Sequence, residues 1–503
     1  MVVEKKDRWD IEWLAYRGGQ NTPLIILDME TQEEVLIPNE KTTDIHPIWV
    51  DNTIYFLSDR DWNMNVWAYN IADKSLKQVT KLKNTDIKYL THYKGELLIE
   101  QNGYLHTVDP KNGRTKQLKF EINADFPWAE TKWEDVSRRA SAVSLSPTGK
   151  RALMQSRGEI FTVPVEYGDT RNLTQSSDAA DRRPIWSPKG DQIAWVSDQG
   201  GQGYALYLTD QDGMSPAKRI PLGESKLIWS PTWSPDGKHI AFADNQVRIK
   251  VLNLETSAIE TIDIGGNNLD RGRTGLTWAP DSKKLAYVKS GSNNFRRIMI
   301  WDADTKTTET LTDPFADAFA PAWDRDKKHF YFLASTDLAL GSGWANTSAI
   351  TADPSYAAYV VVLQKGQDSP FIPRSDEEEV KKEKKEDKKE DAKKEADKKA
   401  EAEKKPEEKK TEATEKKKED KGIKIDFDGI ARRTIALKIP VANYVATLSG
   451  PAGSVFLAER KPGTFSLTLQ KFTLKDRKAA EYLSGVRQFS MSADGKKLLT
   501  QTG

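Results

Sequence analysis

The sequence predicts an all-β protein made of two consecutive β-propellers with four-stranded blades, the first partial and the second nearly complete. Three observations predict it. One 14-residue sentence recurs at a near-constant interval, each recurrence opens a run of short β-prone segments, and the recurrence breaks once, between residues 125 and 139.

The sentence is Ser230-Pro-Thr-Trp-Ser-Pro-Asp-Gly-Lys-His-Ile-Ala-Phe-Ala. Relatives of it start at Pro184, Gly275 and Ala320, and their marker tryptophans Trp186, Trp233, Trp278 and Trp323 stand 47, 45 and 45 residues apart. A self-similar period of ~40–50 residues is the mark of a solenoid, a propeller or an array. Within one period a Trp ends an apolar run, a Pro-Asp-Gly-Lys turn follows, and Ile240 to Ala243 begins the return of a hairpin. Val247 to Leu252 and Ala258 to Ile262 supply two more strands. Four short antiparallel strands without a helical pattern between them make a propeller blade.

In chain order, Trp13 to Tyr16, Pro23 to Asp28 and Glu33 to Ile37 read as three strands of a blade whose innermost strand is missing. A full unit follows, with His46 to Trp49, Thr53 to Ser58, Asn65 to Tyr69 and Leu76 to Thr80. Another runs from Ile87 to Ile122, with Asn102-Gly103 and Asn112-Gly113 as tight turns. Residues 1–124 are therefore assigned to the first propeller and 125–139, which carry no hairpin signal, to the crossing. An open array would leave unpaired strand edges, so the first ring is expected to have further blades outside this sequence.

Residues 140–503 form the second array, with units opening near Ala142, Pro184, Pro231, Leu276 and Pro321. The fifth unit is interrupted: its third strand is Ala357 to Leu363, and its outer strand, Arg433 to Leu437, comes only after the 46-residue tract Asp376–Lys421. That tract is almost wholly Lys, Glu, Asp and Ala, has nothing to bury, and reads as a solvated disordered or partly helical loop. A sixth unit spans Tyr444 to Leu483, and a seventh opens at Gln488 with two strands before Gly503, a ring expected to stop short of closure.

Composition narrows the chemistry. The formal net charge is +1, which gives a nucleic acid partner no global electrostatic support. With no cysteine there is no disulfide, thiolate metal site or cysteine nucleophile, which fits a reducing compartment. No apolar leader and no run of 18 apolar residues is present, so neither a signal peptide nor a membrane span is expected.

No residue qualifies as catalytic, cofactor-binding or metal-ligating. A Gly-x-Ser-x-Gly elbow is lacking. The five histidines, His46, His92, His106, His239 and His329, are scattered, and the last two share one offset after a turn lysine. Asp210–Gly213 and Asp302–Thr305 resemble calcium loops but lack the closing Glu and sit where a blade needs its outer turn, and Asp236 and Asp281 are turn residues as well. The repeat-offset tryptophans are expected to pack between blades, the alternative being a peptide-binding aromatic stripe in the channel. Arg182, Arg183, Arg271, Arg273, Arg296 and Arg297 stand in segments opening blades or in loop tips, where arginine can select peptide carboxylates.

Taken together, several segments resemble the paired N-terminal propellers of the tricorn protease family. They are Trp49-Val-Asp-Asn-Thr-Ile-Tyr-Phe-Leu-Ser-Asp-Arg-Asp, the crossing at Asp125-Phe-Pro, Arg157-Gly-Glu-Ile-Phe-Thr-Val-Pro, Thr170-Arg-Asn-Leu-Thr, Ser369-Pro-Phe and Ile425-Asp-Phe-Asp-Gly-Ile-Ala-Arg-Arg. The Ser-Pro-Asp-Gly-Lys turn alone is unspecific, being shared with TolB-type propellers. The resemblance implies a six-bladed and a seven-bladed ring followed by a PDZ domain and a serine peptidase site. It implies a cytoplasmic enzyme that degrades oligopeptides, with the propellers as the channelling and gating portion. It also implies a homo-oligomer formed through the full-length protein, and no cofactor or membrane partner. The family's catalytic residues align beyond Gly503, and its early basic residues before Met1, so none is carried over. The competing reading is a non-enzymatic TolB-like scaffold for protein–protein interaction.

Overall fold

A computed structural model describes residues 1–4, 17, 21, 23–83, 85–130, 132–201, 203–266, 268–336, 354–375 and 422–502. The chain divides into two compact units, Met1–Lys132 and Trp133–Gly503. Both are built almost entirely from antiparallel meanders whose strands pair in sequence order. They are two β-propeller domains. No helix among the described residues is long and apolar enough to cross a membrane.

In the first unit a three-stranded sheet, Val2–Glu4, Leu24–Leu27 and Glu34–Leu36, precedes two four-stranded ones. The strand expected at Trp13 to Tyr16 lies outside the described residues. The strand that pairs with Leu24–Leu27 is Val2–Glu4, too short and too charged at its end to announce itself. Leu24 and Ile37 pack with Ile54 and Phe56 of the second sheet, and Leu57 and Val66 of the second with Leu97 and Ile99 of the third.

The two Asn-Gly pairs make different turns. Asn102 and Gly103 both have positive φ, 54° and 77°, as a two-residue hairpin turn requires. In the other, only Gly113 is left-handed, at 72°, and a Cβ there would overlap the Val79 carbonyl oxygen of the preceding blade. Gly113→Ala is therefore expected to cost about 2 kcal/mol through φ strain and collision together. A denaturant titration of residues 1–132 within the full chain, read by a probe in that unit, checks it.

The second unit has five four-stranded sheets and then a five-stranded one that continues into a seventh blade. Its inner strands are Ala142–Leu145, Arg182–Trp186, Ile228–Trp233, Thr277–Trp278, Asp317–Trp323 and Tyr444–Ser449, with the distal half of Lys478–Met491 as the seventh. Two expectations change here. The outer strand of the sixth blade and the inner strand of the seventh are one 14-residue strand, irregular in register near Leu483 and Val486. The inner circuit also closes: Asp494 N donates to Pro147 O at 3.2 Å, and Gln488 Nε2 to Ser141 O at 3.4 Å. Closure needs only an inner strand and its turn, which the two strands of the seventh blade provide. The outer strand of the fifth blade, Thr434–Ala436, does pair with Ala357–Val362, across the charged tract 376–421, which lies outside the described residues.

Each marker tryptophan sits in an apolar cluster shared with the blade before it. Trp186 packs with Leu153 and Ile160, Trp233 with Ala194 and Val196, Trp278 with Ala241 and Ile249, and Trp323 with Ala286 and Val288. A sheet buried on both faces by neighbouring sheets needs one large side chain per interface to fill the wedge between them. Trp49 of the first unit is 42% exposed and donates instead to Asp51 O, so the marker residue does not have the same surroundings in both units.

Candidate functional site

The inner strands of the second unit carry a bulge at one repeated place. Arg183, Ser230 and Ala320 have φ of 54°, 51° and 55°, each precedes a proline, and the strand register slips there against its neighbour. The extra residue turns its N–H out of the ladder, and the proline that follows has no N–H to leave unsatisfied. The freed Arg183 N–H is accepted by Gln155 Oε1 of the preceding blade at 3.0 Å. His46 of the first unit repeats the arrangement, with φ 54°, Pro47 next, and its N–H on Glu4 Oε1 at 3.0 Å. The X-Pro pair in these blades is the sequence signal for this bulge.

Adjacent inner strands splay too far for a ladder and are joined by side chains. Trp278 Nε1 donates to Thr232 O at 3.2 Å and Trp323 Nε1 to Thr277 O at 3.1 Å. Thr447 Oγ1 donates to Ala320 O at 2.7 Å and Ser449 Oγ to Trp323 O at 2.5 Å. Inside this collar lie two cavities, of about 510 Å³ and 900 Å³, both lined by Thr277, Leu448 and Ser449. The smaller is lined from all seven blades, on the side of the Ser-Pro-Asp-Gly type turns. The larger lies toward the starts of the inner strands of the fourth, fifth and sixth blades. The two adjoin at these three shared residues, and together they make up the axial passage of the ring.

The charge along this passage has one sign. Arg325 lines the smaller cavity and Arg273, Arg296 and Arg460 the larger, and among the described residues no Asp, Glu, His or Cys lines either. Arg296 is gripped by Asp317, with Nε at 2.9 and 3.2 Å and Nη2 at 2.5 Å, while its guanidinium lies 3.9 Å over the Phe319 ring. Burial disfavours its charge, but the Asp317 hydrogen bonds prevail and hold its pKa above the ordinary value. Arg325 spans three blades, donating to Gly450 O at 3.0 Å, Ala493 O at 2.6 Å and Ser492 O at 3.5 Å, and burial lowers its pKa. Among the six arginines singled out in the sequence, Arg273 and Arg296 line the passage. Arg325 and Arg460 went unnoticed, because Arg325 replaces the proline of a turn and its partners lie 125 to 168 positions away.

The other candidates are occupied by structural bonds. Asp210 accepts from Ser215 Oγ at 2.5 Å, and Asp302 from Lys284 Nζ, Asp304 N and Thr305 N, all within their turns and adjoining strands. Asp236 caps its turn through Ser234 Oγ and Lys238 N. Asp281 does more than cap a turn: its Oδ2 accepts the Ile423 N–H at 2.6 Å, seating the chain where it returns from the charged tract. His239 meets Asn253 and His92 accepts from Gly95 N, while His46 and His106 lie in strands of the first unit.

Among the described residues, one cluster has the composition of a metal site: Asp324, Asp326 and His329, with ligand atoms within 4.8 Å of one another. Its acceptors are in use. Asp324 takes Tyr331 OH at 2.6 Å, Asp326 N at 2.8 Å and Gly453 N at 2.9 Å, and Asp326 holds His329 Nδ1 at 2.5 Å and Lys328 N at 2.7 Å. Burial raises the Asp324 carboxyl pKa. For Asp326 burial acts the same way, but the hydrogen bond to His329 outweighs it and the pKa falls. The group ties the fifth blade to the sixth.

Comparison with known proteins places this architecture. Residues 1–114 match the domain model described as the tricorn protease N-terminal beta propeller domain, and residues 140–503 the one described as the tricorn protease second beta propeller domain. The chain is 24% identical over 516 residues to the tricorn protease of Thermoplasma volcanium, covering 98% of this chain and 44% of that protein. It is 24% identical over 523 residues to tricorn protease homolog 1 of Streptomyces coelicolor, covering 97% of this chain and 45% of the relative. It thus spans less than half the length of these relatives. The crystal structure of the tricorn protease superposes with a TM-score of 0.56 at 17% identity, over 98% of this chain and 44% of that one, which shows the shared fold.

Proposed function

The chain belongs to the tricorn protease family through both of its propeller domains, and on that premise we propose that its second ring conducts peptides along the axial passage to a serine peptidase centre carried by a different stretch of polypeptide. The observation that carries this reading is the lining of the smaller cavity by residues from all seven blades, with no histidine, cysteine or carboxylate among the described residues that line it. Such a passage can hold and orient an extended chain, but it offers no nucleophile paired with a base. Bulged main chain, hydroxyls and indole rings present hydrogen-bonding groups and apolar surface without regard to sequence, which suits a conduit for varied peptides.

The catalytic partner is a PDZ-containing segment, of the same or a split polypeptide, and peptides are the substrates. The working protein is a cytoplasmic homo-oligomer assembled through the full-length polypeptide, and this portion gates access to its catalytic centre. The 503-residue chain, purified by itself, is expected to leave chromogenic oligopeptides uncleaved. Cleavage by it that a serine-directed inhibitor abolishes would overturn the assignment of catalysis to another stretch.

A further inference from the structure

We propose that the larger cavity of the second ring is a carboxylate-recognising subsite, with Arg273 and Arg460 as its binding groups and Phe319 and Tyr356 as its apolar wall. The inference rests on the conduit reading and adds a selectivity to it: peptides bearing an accessible carboxylate are retained at this mouth over neutral ones.

Three guanidinium groups, those of Arg273, Arg296 and Arg460, line about 900 Å³ that, among the described residues, no carboxylate side chain lines. Only Arg296 is neutralised, by its paired contact with Asp317. Among the described residues neither Arg273 nor Arg460 forms an ion pair, and both are exposed. Arg296 is fixed as part of the wall. It also donates to Tyr356 OH at 3.3 Å and stacks over Phe319, which packs edge-on against Tyr356 at 4.8 Å between centroids. Arg273 lines the same cavity as Tyr356 and lies near enough to act electrostatically on its phenol.

Two unpaired guanidiniums beside a fixed aromatic wall suit a ligand with an anionic end and an adjoining apolar group. Arginine presents a planar fork that matches a carboxylate bidentately. A peptide can supply a carboxylate from its C-terminus or from an Asp or Glu side chain. Asn443, which also lines the cavity, adds an uncharged polar side chain that can bind the adjoining peptide group.

The test uses the full chain and one neutral seven-residue peptide, fluorescently labelled, in three forms: free C-terminal acid, C-terminal amide, and amide with one central Glu. Binding is read by anisotropy at low salt. The acid, the Glu form or both are expected to bind about five- to tenfold more tightly than the plain amide, an advantage that shrinks as salt is raised. Gain by the acid alone identifies the C-terminus as the ligand, and gain by the Glu form alone identifies the side chain. Arg273→Ala and Arg460→Ala should each erase most of the advantage without weakening the amide form. Arg273→Lys should keep part of it, and Arg171→Ala, on an outer strand, should change nothing. Equal affinity of all three forms overturns the subsite and leaves the conduit reading standing. Failure of every form to bind overturns both.

Discussion

Replacing Trp323 with alanine is expected to destabilise the second unit by about 3–5 kcal/mol, the range for deleting a large buried aromatic side chain. The indole is 3% exposed and lies between the fourth and fifth blades, edge-on to Phe330 at 4.9 Å. Its cavity cannot collapse easily, because the strands on both sides are held in register by their own ladders. The loss has a second part. Trp323 Nε1 is the donor that reaches Thr277 O across the gap between inner strands. Trp323→Phe keeps most of the packing and removes that bond, so about 1 kcal/mol should separate it from the native chain beyond its lost volume. The same pair of substitutions at Trp49, exposed and bonded locally, should cost far less. Chemical denaturation of the four variants checks both statements.

Arg325→Met is expected to cost about 3 kcal/mol, because it keeps the aliphatic stem and withdraws charge-assisted donors from three carbonyls. Gly450 belongs to the sixth blade and Ser492 and Ala493 to the seventh, so one side chain on the fifth blade fastens two others. The seventh blade has only two strands among the described residues and depends most on such fastening. Amide exchange in Leu498–Thr502 should therefore accelerate much more than exchange in His239–Asp244, deep in the third blade. Arg325→Lys restores a charge but not the fork, and should recover little. Uniform acceleration across all blades would show that Arg325 does not act as a local clasp.

Much of this fold was legible because a propeller writes its plan locally. Trp, the turn that follows it and the next apolar run lie within 15 residues, and the hairpin that they specify recurs with its spacing intact. Strands without such punctuation were harder to place. Val2–Glu4 is three residues long, and Lys478–Met491 runs without interruption through what reads as a boundary between units. The site was legible only in part, for a different reason. Its residues belong to one another through the ring, as Arg296 does with Asp317 at 21 positions and Asp281 with Ile423 at 142. No period in the sequence relates such pairs. The arginines could be noticed as loop or strand-start residues, but which of them line the passage depends on the curvature of the whole ring.

The lack of cysteine allows one reporter thiol to be placed cleanly in the axial passage. In Ser449→Cys the thiol sits where the two cavities meet, and in Glu309→Cys it lies on an outer strand of the fourth blade. A saturating unlabelled oligopeptide should slow the reaction of a thiol reagent with Cys at position 449 several-fold and leave position 309 unaffected. Equal rates with and without peptide at position 449, under conditions where the peptide is bound, would place peptides elsewhere on the molecule and contradict the account.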